Sequence, residues 1–182
     1  MGGVDKGLQR YEGEPLALRA ARRLAPQVAS LSISANRHLA EYQGWGWPVL
    51  PDDPRHLGRG PLAGLLAGLR ASPREWLACT PCDVPGIPTD LVARLAAAAP
   101  GRQVVFAAAV DPSTADGLPR RHPVCCLLHR SLQAPLAAYL DDGGRRIDAW
   151  MRSLSHAEVV FDDAAAFANL NTLDDLAAAQ RR

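Results

Sequence analysis

The chain has 182 residues and a mass of 19.5 kDa, the length of one domain with a substantial hydrophobic core. Lysine and arginine total 20 against 19 aspartates and glutamates, so the net charge is only +1. This balance argues against a general nucleic-acid or membrane-surface binder, which carries a basic surplus. Arginines and prolines interrupt every apolar run before the ~18 residues of a transmembrane helix. No basic-then-apolar signal region opens the chain, so we expect a cytoplasmic protein.

Strand-like and helix-like hydrophobic periodicities alternate along the sequence. The strand-like segments are 30–35, 48–50, 75–80, 104–109, 124–128 and 158–161. The helix-like segments are 15–25, 61–70, 88–98, 131–140, 146–154 and 173–180. Strands separated by helices at this spacing predict βαβ units, and therefore an α/β protein with a mainly parallel sheet. No linker is long enough to divide the chain, so we expect residues 1–182 to form a single domain.

Polar residues and glycines follow several of the predicted strands. In open α/β sheets, ligands bind where the carboxyl ends of strands meet the following loops. This rule selects Asn36, Asp52 or Asp53, the segment 60–64 and Asp83. Each of them alone is also typical of an ordinary turn. Their joint position at one edge of the sheet is harder to explain by turn chemistry.

Two of these positions have chemistry that suits phosphate and metal binding. Lys6, the sole lysine of the chain, lies in the glycine-rich opening sequence MGGVDKG. Glycines let the backbone approach phosphate closely, and the compact ammonium supplies a counter-charge, although a single lysine is also explained by a compositional accident. Asp83 follows a strand in the sequence PCDVP. A carboxylate there suits Mg²⁺, which takes one or two protein carboxylates together with substrate phosphates.

The four cysteines form neither a disulfide framework nor a zinc pattern. Cys79 and Cys82 are separated by two residues, but no second such pair or matching histidines accompany them. Cys125 and Cys126 are adjacent in a predicted strand, so they point to opposite faces. We interpret all four as reduced structural thiols, with a redox role of Cys79 and Cys82 as the alternative.

These motifs resemble those of the molybdenum cofactor guanylyltransferases, which are nucleotidyltransferases with a Rossmann-like α/β fold. The matching segments run through nearly the whole chain: MGGVDKGL at 1–8, SANRH at 34–38, VLPDD at 49–53, GPLAG at 60–64, PCDVP at 81–85, HPV at 122–124, GGRRIDAW at 143–150 and NLNTLDDL at 169–176. The DKG, GPLAG and CDxP elements recur across related nucleotidyltransferases. The SANR, GxRR and NxNT elements, in this order, favour the guanylyl branch.

The resemblance implies a single nucleotidyltransferase domain with a three-layer fold that transfers GMP from GTP to the phosphate of molybdopterin. The products would be molybdopterin guanine dinucleotide and pyrophosphate, and the cofactor would be Mg²⁺. By the family's motifs, Lys6 would bind GTP phosphate and Asp83 would bind both GTP and Mg²⁺, and we expect these two residues to be catalytic. Asn36 and the aspartate after the strand VLP would contact the guanine or ribose.

Three GTP-binding candidates depend on spacing rather than on a unique motif. Asp52 fits the V-x-x-D spacing after the strand, whereas Asp53 fits equally well when measured back from Gly60. Gly60 opens a predicted helix with small residues, which would let a nucleobase or ribose lie against the backbone. The choice between the two aspartates stays open at this stage.

Further candidates would bind the anionic molybdopterin. They are His122, Arg145, Arg146, Asn169 and Asn171. A solvated charged face is the alternative explanation for the two arginines and the histidine. Beyond GTP and molybdopterin, the implied partners are other molybdenum cofactor proteins and chaperones of the recipient molybdoenzymes, with no nucleic acid and no membrane.

The resemblance has one departure, at the N-terminus. Family members carry a strand and the turn LAGGxSxR directly before MGGxDK, whereas this sequence begins at that methionine. The first strand is usually central in this fold, and its loss would leave neighbouring strands unpaired. An internal methionine taken as the start explains this, and we then expect the upstream frame to encode a short apolar strand and LAGG. A truncated, inactive binding module is the alternative, and a cytidylyltransferase acting on the same cofactor is a third hypothesis.

Overall fold

The computed structural model describes residues 5–110 and 117–170. The α-helices in these ranges are α1 (Leu16–Leu24), α2 (Leu39–Gln43), α3 (Pro61–Ala71), α4 (Leu91–Ala97), α5 (Gln133–Asp141) and α6 (Ile147–Arg152). The strands are β1 (Arg10–Tyr11), β2 (Glu14–Pro15), β3 (Ile33–Ser34), β4 (Val49–Leu50), β5 (Trp76–Cys79), β6 (Val104–Ala109), β7 (Arg120–His129) and β8 (His156–Phe161). None of the helices within the described ranges has both the length and the apolar character that crossing a membrane requires. The helix predicted over 173–180 lies outside the described residues.

The main sheet has the strand order β5-β7-β6-β8. Strands β5, β6 and β8 point in the same direction, as the predicted parallel arrangement requires, and β6 pairs directly with β8 in parallel. Strand β7 runs antiparallel to both of its neighbours, so the sheet is mixed. The ten residues between Ala109 and Arg120 explain this correction, because a parallel crossover needs about a dozen residues or more.

Strand β6 lies at the centre of the hydrophobic core, and all six of its residues are buried. Alternate side chains point to opposite faces of the sheet. Val105 and Ala107 pack with α4 and with Phe161 on one face. Val104 and Phe106 pack on the other face with α3, α5 and α6. Helices therefore cover both faces of the sheet, which confirms the three-layer α/β architecture.

A second, two-stranded sheet consists of β3 and β4, which pair in parallel. In the part of the chain that the structure describes, β3 and β5 are both edge strands. Residues 30–36 and 76–83, which include these two strands, line one cavity of about 1150 Å³. The two sheets are thus separated by a cavity rather than joined by hydrogen bonds between these strands.

Hydrogen bonds show which backbone groups face this cavity. Ile33 and Ala35 donate their N–H groups to β4 and its flanks, at Pro48 and Leu50. Since N–H and C=O groups alternate along a strand, those of Ser34 point away from β4. On the other side, the Glu75 carbonyl accepts from Arg130 beside β7, so the same alternation turns the polar groups of Ala78 away from β7.

Candidate active site

The ion pair between Lys6 and Asp83 joins two segments that are far apart in the sequence. Lys6 begins a short 3-10 turn, and Asp83 lies in the loop that follows β5. The Lys6 Nζ atom is 2.6 Å from Asp83 Oδ2, and the two side chains are 29% and 17% exposed. The structure therefore brings together the two residues predicted to be catalytic, and it holds them in a half-buried position.

Asn36 and Asp52 form a second pair, at the carboxyl ends of β3 and β4. The Asn36 Nδ2 amide donates to Asp52 Oδ2 at 2.7 Å, and the Asp52 backbone N–H donates to Asn36 Oδ1 at 2.8 Å. Both residues follow their strands by two positions, so the parallel register places them side by side. The other carboxylate oxygen, Asp52 Oδ1, is buried and accepts no hydrogen bond from the described residues. A buried acceptor of this kind is suited to a ligand that donates hydrogen bonds.

Asp53 has a different environment from its neighbour. Its carboxylate caps the 3-10 turn Pro54–His56 by accepting the Arg55 backbone N–H, and it pairs at 2.8 Å with the guanidinium groups of Arg55 and Arg70. Hydrogen bonds from Arg55 and then Arg70 hold the pKa of the Asp53 carboxyl well below its usual range. Asp53 is thus paired with arginines, whereas Asp52 Oδ1 has no hydrogen-bond partner in the described part of the chain.

Gly60 and Gly64 let helix α3 start close to the strand loops. Gly60 precedes the helix with φ at +69°, a conformation that favours glycine, and Pro61 follows at the first helical position. A Cβ atom on Gly64 would lie 2.8 Å from Ser34 Oγ and 3.9 Å from Asp52 Oδ1. The missing side chain therefore lets the helix backbone approach the Asn36–Asp52 pair.

The cavity between the two sheets collects most of the predicted nucleotide site. Its lining includes five of the six residues predicted to bind GTP: Lys6, Asn36, Asp52, Gly60 and Asp83. The sixth, Asp53, is absent from the lining. The two polar pairs lie in one cavity, so this geometry can bind a ligand with an anionic part and a hydrogen-bonding part.

The residues predicted to bind molybdopterin are more scattered. His122 stacks on Phe167 at 4.8 Å, and burial lowers its pKa. Arg145 and Arg146 are exposed directly before α6. None of these three residues lines the cavity.

The NxNT segment lies closer to Asp83. Asn169 is exposed, and the next residue, Leu170, donates its backbone N–H to the Asp83 carbonyl at 2.9 Å. Asn171 lies outside the described residues. The structure thus brings the start of this motif to the metal-binding candidate, and the role of each residue stays a prediction.

All four cysteines are unbridged. Burial raises the pKa of Cys79 to about 12, and burial followed by the nearby Asp83 carboxylate raises that of Cys82 to about 11. Thiols with such pKa values are protonated at neutral pH, whereas nucleophilic catalysis needs the thiolate. Cys82 is therefore poorly suited to nucleophilic chemistry, although it neighbours Asp83.

Asp5 and Tyr42 lie beside the site and were not selected from the sequence. The Tyr42 hydroxyl donates to Asp5 Oδ1 at 2.8 Å, next to Lys6. A tyrosine on a short helix looks like an ordinary core residue, and only the long-range contact reveals its position. The sequence signal for Asp5 was its place inside the DKG motif.

Comparison with known proteins shows which family the chain belongs to. The model of the MobA-like NTP transferase domain matches residues 1–159. A molybdenum cofactor guanylyltransferase of Cupriavidus taiwanensis is 50% identical over 100% of this chain and 90% of its own length. The protein of that name from Ralstonia nicotianae is 49% identical over 97% of this chain and 87% of its own length. The chain belongs to the molybdenum cofactor guanylyltransferase family. Like its relatives, this guanylyltransferase family member is a nucleotidyltransferase.

Solved structures agree with this fold. Molybdopterin-guanine dinucleotide biosynthesis protein A from Archaeoglobus fulgidus superimposes with a TM-score of 0.76 at 18% identity, over 98% of this chain and 90% of that one. The 2-C-methyl-D-erythritol 4-phosphate cytidylyltransferase from Thermus thermophilus gives a TM-score of 0.74 at 14% identity, over 97% and 92%. Two proteins whose names refer to different substrates thus share the nucleotidyltransferase fold of this guanylyltransferase family member.

Proposed function

We propose that this chain transfers GMP from GTP to the terminal phosphate of molybdopterin, which yields molybdopterin guanine dinucleotide and pyrophosphate. The observation that supports this most directly is the cavity that holds both the Lys6–Asp83 pair and the Asn36–Asp52 pair. The first pair suits a triphosphate with its metal, and the second suits a base or ribose. The names of the close relatives support the guanylyl group.

The chemistry needs positioning and charge neutralisation rather than a covalent intermediate. A molybdopterin phosphate oxygen forms a bond to the α-phosphorus of GTP while the bond from that phosphorus to the bridging oxygen breaks. Pyrophosphate leaves with the electron pair of that bond. The Lys6 ammonium is close enough to the Asp83 carboxylate to neutralise phosphate charge beside it. No nucleophilic side chain of the enzyme takes part.

Asp83 fits the requirements of a Mg²⁺ ligand. It offers a half-buried carboxylate at a strand end, and the ion pair with Lys6 engages Oδ2. Mg²⁺ commonly uses one or two protein carboxylates and completes its coordination with phosphate oxygens and water. When bound, the ion would stabilise the negative charge that develops on the phosphates.

Asp52 is a suitable acceptor for the hydrogen-bond donors of guanine. Guanine presents two adjacent donors, N1–H and the exocyclic N2–H, and a carboxylate accepts both. Asp52 supplies a buried Oδ1 that has no partner among the described residues, beside an Asn36 that fixes Oδ2. Cytosine offers a single amino donor in place of these two.

We further propose that the chain acts in the cytoplasm as a single domain. Its other partners would be molybdenum cofactor proteins and chaperones of recipient molybdoenzymes. His122, Arg145, Arg146, Asn169 and Asn171 stay the candidates for binding molybdopterin.

Pyrophosphate release tests this function directly. The purified chain is incubated with molybdopterin and Mg²⁺, and with either GTP or CTP at equal concentration. We expect pyrophosphate and a guanine dinucleotide product with GTP only. A preference for CTP would identify a cytidylyltransferase, and GTP binding without pyrophosphate release would identify a binding module. Either result would refute the proposed reaction.

Replacing Lys6 tests its contact with the triphosphate. We expect Lys6→Ala to weaken GTP binding by about tenfold or more, the scale of a hydrogen bond to a charged group. Lys6→Arg should restore the affinity only in part, because a planar guanidinium does not reproduce the point charge of an ammonium. Equilibrium titration with GTP and Mg²⁺ measures both variants. Parental affinity in Lys6→Arg would make the lone lysine a compositional accident.

The two neighbouring aspartates provide a matched pair of variants. Asp52→Asn removes a charge that faces the cavity, and we expect GTP affinity to fall by about tenfold or more. Asp53→Asn should weaken GTP binding less and should instead lower the melting temperature slightly, because it releases Arg55 and Arg70. GTP titrations and thermal melts of both variants separate these effects. A larger affinity loss in Asp53→Asn would assign the nucleotide contact to Asp53.

A further inference from the structure

Tyr42 anchors the residue that precedes Lys6. Its ring is on α2, only 4% exposed, and its hydroxyl donates to Asp5 Oδ1 at 2.8 Å. The same oxygen accepts the Gly7 backbone N–H at 3.1 Å, and the His38 Nδ1 atom lies 3.4 Å from Asp5 Oδ2. The carboxylate of Asp5 is therefore fixed by the backbone just after Lys6 and by two side chains from the α2 segment.

The backbone around Lys6 is packed closely against the same hydroxyl. Gly7 is buried, and a Cβ atom there would overlap the Tyr42 hydroxyl and lie 3.1 Å from the Ala17 Cβ. Burial and then the hydrogen bond to Asp5 raise the pKa of Tyr42 far above its usual range, so the hydroxyl keeps its proton. The Asp5–Gly7 turn thus has a fixed donor on one side and helix α1 on the other.

Helix α2 also starts beside the second polar pair of the cavity. The N-cap residue of this helix is His38, two positions after Asn36. Its φ is +50°, which is unusual for a residue with a side chain. Strained backbone of this kind persists where surrounding contacts fix it, and it is common near functional sites. Tyr42 therefore connects the segment of Asn36 to the turn of Lys6.

We propose that Tyr42 is a positioning residue: through Asp5 it holds the Lys6 ammonium at Asp83 and fixes the distance between the phosphate and base ends of the cavity. Without the Tyr42 hydroxyl, the turn loses its hydrogen bond to α2, and Lys6 is no longer held at Asp83. This role rests on the proposed function only where GTP is concerned.

The single lysine of the chain makes the positioning measurable without any ligand. Growth with ¹³C-lysine labels only Lys6, so the ε-methylene signal needs no assignment. We expect Tyr42→Phe and Asp5→Ala to move this signal toward its position in Asp83→Asn, and the double variant to move it no further. Tyr11→Phe, in the β1–β2 hairpin outside the cavity lining, is the matched control and should leave the signal in place. An unchanged Lys6 signal in both folded variants would overturn the proposal.

A GTP titration in two backgrounds separates positioning from general stability. In the parental background, we expect Tyr42→Phe to weaken GTP binding by about tenfold. In the Lys6→Ala background, the same substitution should cost almost nothing further, because no ammonium remains to be positioned. Full additivity of the two losses would show a merely structural tyrosine. A parental chain that does not bind GTP would instead refute the proposed function, and the lysine signal would still decide the role of Tyr42.

Discussion

Replacing Asp83 with asparagine is expected to lower the turnover of guanylyl transfer by at least about 100-fold, the scale of losing one preorganised electrostatic group. Asparagine keeps the shape of the side chain and removes the charge that pairs with Lys6 at 2.6 Å. A neutral amide is a poor ligand for Mg²⁺ compared with a carboxylate. Steady-state release of pyrophosphate from GTP measures the effect.

Asp162→Asn provides the matched control for this experiment. Asp162 is exposed after β8 and does not line the cavity, so its neutralisation should leave turnover within about twofold of the parental value. Comparable melting temperatures of the two variants would exclude a folding defect. Near-normal turnover in Asp83→Asn would reject Asp83 as the main metal ligand.

The sequence predicted the central elements accurately because burial and pattern agree there. The apolar run 104–109 is the strand Val104–Ala109, fully buried between two layers. The predicted helix 61–70 is observed as Pro61–Ala71, with the proline at its first position. Where a segment is buried on both faces, its apolar pattern alone determines where it begins and ends.

Pairing partners, which no local pattern contains, explain the differences elsewhere. Strand β7 was predicted over 124–128 but extends over Arg120–His129, because the polar residues at its start pair with Ala107–Ala109. The prediction over 30–35 shrinks to Ile33–Ser34, a strand with one partner only in the described structure. Hydrogen-bonded neighbours therefore set strand length where hydrophobicity is ambiguous.

For the site too, local sequence patterns predicted some residues, and long-range contacts determine the rest. The rule of strand carboxyl ends selected Lys6's partner Asp83 and the pair Asn36 and Asp52. Spacing did not separate Asp52 from Asp53, because the contacts that distinguish them include long-range ones, from Asn36 to Asp52 and from Arg70 to Asp53. Likewise, the contact from Tyr42 to Asp5 spans 37 positions and has no local signature.

Adding a strand at the N-terminus is expected to produce the largest change in behaviour. The sequence from Met1 should be less soluble and bind GTP more weakly than the extended one, because the edges of β3 and β5 face a cavity instead of a neighbouring strand. Ser34 is exposed and β5 is half-buried, so a strand placed between them would bury both edges and gain about 0.5–1.5 kcal/mol for each hydrogen bond it forms. Several such hydrogen bonds together are a sizeable share of the total stability of a typical domain, about 5–15 kcal/mol.

The extension consists of five or six apolar residues, Leu-Ala-Gly-Gly and an arginine, placed before Met1. Asp5 and Lys6 line the cavity, and the added residues would precede them in the sequence. A strand there would accept and donate hydrogen bonds on both sides, to Ser34 and Ala78 among others. Its glycine turn would add backbone N–H groups for the triphosphate, next to Lys6. We expect higher soluble yield, tighter GTP binding and faster guanylyl transfer than in the parental chain.

A control extension of equal length, in which glycine and serine replace the apolar residues, separates strand insertion from a general effect of added chain. Such a segment buries little apolar surface and has low strand propensity, so it should not fill the gap. Hydrogen exchange then locates the change: the amides of Ser34 and Ala78 should become protected only with the apolar extension. Equal yields and GTP affinities for both extensions, with both amides still exchanging freely, would show that the space between β3 and β5 does not receive a strand.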